Sequence, residues 1–281
     1  MARSPSILRG GLAGLGSVAL ALAAAAGTIP ADALPLPNRV ASAEVVVAGK
    51  VTAFEPKTVL AVPFAGAKNQ TEIKIAVVTI SDALMAAKGA TTIRLGFVPT
   101  RPGVAISPPP FQPVIAQEGC FFLTKHGEAD FLVPAGLLPF LDKKSATFEK
   151  DVALIRRCTK LLEDSNTALK AKDAEDRFLA AAMLLVRYTT RKSPSARTEP
   201  IDAEQSKRII QALAGADWTP STDVMQLSPL TVLHRLRLTD KDGWAPPPAK
   251  DPKAYAAYAQ QWLKDHADSY RIQKYVVEKS K

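Results

Sequence analysis

Residues 43–54 read AEVVVAGKVTAF, a β-branched run broken once, by Gly49. Branched side chains suit a pleated, half-buried surface, so the run predicts a strand, and a glycine inside it marks a bulge or bend in a strongly curved sheet. Outward from it, Glu55-Pro56-Lys57 makes a turn, Thr58 to Phe64 a second short run, and Gly66 to Gln70 a polar loop. Residues 71–81, TEIKIAVVTIS, alternate apolar and polar in their first half and then become continuously apolar, which predicts a long strand with one end more buried. Asp82 to Ala87 is read as a short helical turn ended by Lys88-Gly89, after which residues 92–98, TIRLGFV, resume the strand pattern. The six prolines between Pro99 and Pro113 forbid a central strand and predict an extended loop. Finally, GCFFLT at 119–124 and ADFLV at 129–133 flank Lys125-His126-Gly127-Glu128 as a β-hairpin would. Short strands twisted by internal glycines predict a small antiparallel barrel, with a β-sandwich as the alternative that gives similar strand signals.

Beyond residue 142 the composition shifts to Ala, Leu, Lys, Asp, Arg and Glu at helical spacing. Phe148, Val152, Ile155, Cys158, Leu161 and Leu162 repeat at threes and fours, opened by Ser145 as a cap and running to about residue 165. Asp173 to Arg191 carries a wide apolar face, which predicts burial. Asp202 caps a third helix that Gly215 ends, Pro229 to Leu238 is a short fourth, and Asp251-Pro252 opens a fifth. Lys192 to Pro200 and Gly243 to Lys250 read as linkers. No regular repeat length recurs along the chain.

The order AEVVVAGKVTAF, EIKIAVVTISDALMAAKGATTIRLGF, EGCFFLTKHGEADFLVP resembles the OB-like barrels of the tissue-inhibitor-of-metalloprotease and netrin-module type, in the bare form of exported bacterial proteins. The likeness covers residues 43–134 and rests on strand order and turn placement. It implies the fold and a general habit of binding other proteins. The inhibitors themselves begin with a cysteine whose amine and carbonyl bind a protease zinc, whereas this chain, cut after Ala33, begins Leu34-Pro35-Leu36-Pro37, so that mechanism does not carry over. The predicted fold class is therefore α+β: an N-terminal OB-like antiparallel β-barrel at residues 34–142, followed by a C-terminal α-helical domain at residues 143–281.

Residues 1–33 predict where the protein works. Arg3 and Arg9 make a cationic start, residues 10–29 form an uncharged run of Ala, Leu, Gly and Val, and Ala31-Asp32-Ala33 offers the small residues a signal peptidase reads. The reading is a cleaved signal peptide and a periplasmic or extracellular protein. An uncleaved membrane tether is the alternative, since the run approaches the length of a spanning helix. The formal charge of +9 is unevenly placed: residues 34–142 carry 9 Lys and Arg against 8 Asp and Glu, and residues 143–281 carry 25 against 18. The basic excess of the second half favours anionic partners, which outside the cytoplasm are lipid headgroups, envelope polymers or acidic proteins; the mixed signs also suit an ordinary solvated face.

Motifs for chemistry are sparse. Cys120 and Cys158, one in each half, lie in apolar runs and admit two readings, a disulfide stapling the halves or two buried free thiols. His126, His234 and His266 lack metal-ligand spacing apart from His266 with its neighbours Asp265 and Asp268, so no metal and no cofactor is called for. There is no Gly-x-Ser-x-Gly elbow, no Ser-x-x-Lys pair and no phosphate-cradling glycine cluster. Phe97, Phe121, Phe122 and Phe131 read as core rather than as a base-stacking platform, which argues against nucleic acid. What stands out is the stripe Tyr255, Tyr258, Trp262, His266, Tyr270 on the last helix, stepping by threes and fours. It fits a partner groove or a glycan surface, or packs inward on the other helices. The functional expectation is an exported, non-catalytic binding protein that engages a protein or envelope polymer, with Tyr255, Tyr258, Trp262 and Tyr270 as candidate binding residues. The alternative is a hydrolase assembled between the halves from distant residues such as His126 and Asp130.

Overall fold

The computed structural model describes residues 35–64, 67–100, 110–191, 193–219, 227–247 and 251–277. The signal-peptide reading of residues 1–33 and most of the proline-rich loop lie outside them. The fold is mixed α+β, a closed five-strand barrel with seven α-helices among the described residues. Its elements run α1 (Leu36–Ser42), β1 (Val45–Phe54), β2 (Val59–Ala61), β3 (Thr71–Met85), β4 (Thr92–Phe97), β5 (Glu118–Lys125), β6 (Leu132–Pro134) and β7 (Phe140–Asp142). They continue as α2 (Phe148–Glu163), α3 (Ser165–Ala168), α4 (Ala174–Thr189), β8 (Arg197–Pro200), α5 (Ala203–Ala214), α6 (Pro229–Leu233), α7 (Pro252–His266) and β9 (Gln273–Val276).

The sheet order β1-β3-β4-β6-β5 closes through a second edge of β1 that pairs with β5. This ring is compatible with an OB-like barrel. It is mixed rather than antiparallel, because β4 and β6 run parallel at Leu95 and Leu132. β6 pairs antiparallel with β5 through the hairpin after it, and this brings β6 alongside β4 in the same direction. Register shifts at Ala48/Gly49 and elsewhere along β1–β3 bend the sheet, as the glycine predicts. A Cβ on Gly49 would sit 2.5 Å from the Thr79 carbonyl oxygen, and across the other ladder Gly49 faces Gly119. The missing side chains let three strands approach.

The continuous apolarity of β1 and β5 follows from burial on both faces. Val45, Val47 and Val51 point into the barrel with Val78, Leu95, Phe121 and Leu123. Val46, Cys120 and Phe122 point out, where α1, α2 and α4 cover them with Val40, Phe148, Ile155, Cys158, Leu179 and Met183. Barrel and helices thus share one core across residue 142. Each such side chain, fully buried, contributes roughly 1.5–3 kcal/mol relative to exposure. Phe111 lies against Phe121 and Phe140 from outside the strands.

α4 is buried on nearly every side. Leu179, Met183 and Val186 join the barrel-facing core, while Phe178, Ala181, Leu184 and Leu185 join the core built with α5, α6 and α7. Its wide apolar face is explained by these two cores. Asp173, Asp202 and Asp251 cap α4, α5 and α7 by accepting from backbone N–H groups one turn in.

Four local expectations are corrected. Residues 82–85 are not a helical turn: β3 continues to Met85, because Asp82, Ala83 and Met85 pair with β1 and Leu84 and Met85 are buried. Ser145 is not the cap of α2; Thr147 holds that position, with no side-chain cap bond. Residues 197–200 are not a linker but β8, which pairs antiparallel with β9. Helix α1 precedes the barrel, so the order of barrel then helices holds only in part.

Candidate functional site

The aromatic stripe lands largely inside the fold. Trp262 is 4% exposed; its ring stacks on His266 at 4.4 Å and meets Trp244 and Tyr270 edge-on. Trp244 also contacts Tyr255 and Tyr258. The polar tips of the stripe are used on the backbone opposite. Trp262 Nε1 donates to the Asp242 carbonyl, Tyr258 Oη donates to the Gly243 carbonyl and accepts from Ala245 N, and Tyr270 Oη donates to the Leu236 carbonyl. His266 Nδ1 donates to the Trp262 carbonyl. The stripe therefore clamps residues 236–245 onto α7.

What the clamp holds in place is a cavity of about 260 Å³. The helix α6 passes at His234–Leu236 into a 3-10 turn that ends on Arg237 with φ at 54°. A left-handed conformation costs a non-glycine residue roughly 1–2 kcal/mol, and residues held so tend to sit at functional sites. This turn places Arg235 and Arg237 on the cavity wall. A second 3-10 turn, Asp240–Asp242, brings Asp242, and the chain after α7 brings Tyr270, Arg271 and, on β9, Gln273 and Tyr275. Thr189 at the end of α4 and Thr198 on β8 complete it. The β8–β9 ribbon, whose first strand was read from sequence as linker, thus forms part of the site.

Three arginines line this cavity. Arg235 Nη1 donates to Thr189 Oγ1 at 3.4 Å; Arg237 Nη1 donates to Tyr275 Oη at 2.7 Å and lies over that ring; Arg271 Nη1 donates to the carbonyls of Asp268 and Tyr270. Among the described residues, none of the three is in a salt bridge. Several cations elsewhere are paired, Arg94 with Glu55, Arg156 with Asp82, Arg157 with Asp173, Glu175 and Asp176, and Lys207 with Asp268, whereas Arg177 donates only to backbone carbonyls. Burial, and then repulsion from Arg237, pull the Arg235 guanidinium below its ordinary value. Asp242 faces the same space, and one of its oxygens, Oδ2, accepts from Thr239 N and Oγ1. Burial, with the Asp242 charge second, pushes the Tyr270 hydroxyl up to about 12.

The other sequence candidates make structural contacts among the described residues. Cys120 and Cys158 are free thiols in the same buried core, and burial pushes both up to about 12, so neither is a thiolate at neutral pH. His126 has both ring nitrogens in use: Nε2 donates to the Val62 carbonyl, and Nδ1 accepts from Glu128 N and Ala129 N. Its ring lies against Phe131, and no hydrogen bond joins it to Asp130, whose carbonyl accepts from Arg94. Asp265 accepts from Gln261, and among the described residues no group of His, Cys, Asp or Glu is arranged to hold a metal ion. No helix of the described residues is long and apolar enough to cross a membrane.

Sequence reading missed the arginines because Arg235, Arg237 and Arg271 sit amid acids and bases alike. The uneven charge of residues 143–281 was the one signal pointing toward them. Compared with known proteins, the chain matches no family model and no curated protein sequence.

Proposed function

We propose that this is an exported, non-catalytic binding protein of the cell envelope or extracellular space, and that the arginine-lined cavity engages an anionic group of a protein or envelope polymer. The observation that carries the reading is a cavity lined by three arginines, none of them in a salt bridge among the described residues. Guanidinium forks favour carboxylate and phosphate oxygens, and charge-assisted hydrogen bonds are the strong ones. The residue 1–33 pattern supports export. The buried thiols and the fully engaged His126 support binding rather than catalysis. Phe97, Phe121, Phe122 and Phe131 are all buried, which supports a protein or polymer over nucleic acid. The barrel's relation to the inhibitor and netrin-module type belongs to the proposal too, supported by the resemblance over residues 43–134 and by the strand order. So does the division into a barrel part, residues 34–142, and a helical part, residues 143–281.

Retention of a solubilised envelope-polymer fraction on immobilised protein tests this. The expected result is saturable retention that weakens with salt. It falls about tenfold or more in the Arg235→Gln/Arg237→Gln variant, the equivalent of losing one charge-assisted hydrogen bond. Retention that this variant leaves unchanged overturns the reading.

A further inference from the structure

Resting on that reading of the cavity, we infer that its ligand is a phosphorylated sugar or polyol, with the phosphoryl group on Arg235, Arg237 and Arg271 and a hydroxyl of the carrier on Asp242. The charge balance comes first. Three arginines against one aspartate give the lining residues an excess of two positive charges, which a phosphomonoester matches above its second pKa of about 6. A single carboxylate neutralises only half of that excess. The half-buried Arg235, repelled by Arg237, gains most from an anion that bridges the two.

Asp242 argues for the carrier. A carboxylate repels a phosphate, so a site built for the bare anion has no use for one. Here Oδ2 is engaged by Thr239 while Oδ1 carries no hydrogen bond among the described residues, which leaves an acceptor for a donor such as a sugar hydroxyl. Neutral groups fit the same ligand. The Thr198 hydroxyl has no partner among the described residues, and the Tyr275 hydroxyl accepts from Arg237 and keeps its own proton to donate. The Tyr270 ring supplies apolar surface for carbon-bound hydrogens. A volume of about 260 Å³ holds such a carrier, whereas a bare phosphate fills only part of it.

The cavity is also preorganised. The Tyr270 bond to the Leu236 carbonyl fixes the link between Arg235 and Arg237, and the Trp262 bond to the Asp242 carbonyl fixes the opposite wall. Groups held before the ligand arrives need not be ordered by it, which favours affinity.

Calorimetric titration of the whole chain tests the inference, using glucose 6-phosphate, inorganic phosphate, glucuronate and glucose at pH 7.5 and pH 5. Glucose 6-phosphate is expected to bind about tenfold or more tightly than glucuronate, and to weaken at pH 5 as the phosphate loses charge. Arg235→Gln and Arg271→Gln should each weaken it about tenfold, while Lys143→Gln, which removes the same charge far away in sequence, leaves it unchanged. Asp242→Asn should erase the preference for glucose 6-phosphate over inorganic phosphate; Thr198→Ala, on exposed β8, should reduce it if Asp242→Asn does not fold. Retention of phosphomannan on immobilised protein, displaced by glucose 6-phosphate, identifies a polymer-borne source; binding of the free sugar phosphate without such retention identifies a soluble one. Glucuronate binding as tightly as glucose 6-phosphate, with the same dependence on the arginines, overturns the phosphate class and leaves the anion reading standing. No binding that depends on the arginines overturns both.

Discussion

Replacing Trp262 by Phe separates the work of the aromatic stripe from the work of the cavity. Trp262 does not line the cavity, yet its indole N–H is the donor to the Asp242 carbonyl and its ring touches Trp244, His266 and Tyr270. Phenylalanine keeps an aromatic ring but leaves that half-buried carbonyl without its donor, a loss of about 1 kcal/mol. The smaller ring gives up buried area and part of three ring contacts, about 1 kcal/mol more. Urea unfolding should therefore report a loss of about 2 kcal/mol, within the usual range for a core substitution. If the stripe positions the wall, hydrogen exchange at Gly243 and Trp244 should quicken, and glucose 6-phosphate should bind about fivefold more weakly as the wall must be ordered on binding. Tyr255→Phe is the matched control, since the Tyr255 hydroxyl makes no hydrogen bond among the described residues, and should stay within about 0.5 kcal/mol of the parent. A Trp262→Phe protein that is destabilised as stated, yet binds and exchanges like the parent, would refute the positioning argument.

The two thiols give a pH prediction. Below the unfolded thiol value of about 8.5 both states keep the proton; above it the unfolded chain ionises while the buried thiols do not. Stability should then fall by about 1.4 kcal/mol per pH unit for each thiol, with the slope reduced in Cys158→Ala, and neither thiol should react with a thiol reagent at pH 8 without unfolding. Gly49→Ala forces a methyl toward the Thr79 carbonyl and should cost about 1–3 kcal/mol in urea unfolding; an unaffected midpoint would contradict the close approach of β1 and β3. Phe122→Ala opens the core shared by barrel and helices and should cost about 3–5 kcal/mol in a single cooperative transition. Two separate transitions would show that the halves fold independently.

The barrel was legible where local pattern and tertiary demand agree. The run at Val45 to Val51 needs a strand and a bend, and finds both. Asp82 to Met85 was misread because Asp suits a helix cap and Ala, Leu and Met favour a helix locally, while pairing with β1 decides the outcome. The ribbon of Arg197–Pro200 with Gln273–Val276 was hidden because its strands are short, polar and about seventy residues apart, so neither announces the other. The stripe on α7 was visible as a period but not as a direction: three- and four-residue steps give a face, and only packing shows that the face turns inward. The cavity was least legible. Arg235 and Arg237 converge because the chain enters the left-handed region at Arg237, an event the residue type does not signal, and Arg271 arrives from the far side of α7.

The most direct test of the central claim is an NMR titration that follows the arginine side-chain Nε–H resonances as glucose 6-phosphate is added to the full chain. The account predicts saturable shifts at Arg235, Arg237 and Arg271, with Arg94 and Arg157, already paired with carboxylates, left in place. Shifts spread evenly over paired and unpaired arginines, or confined to the barrel, would contradict it.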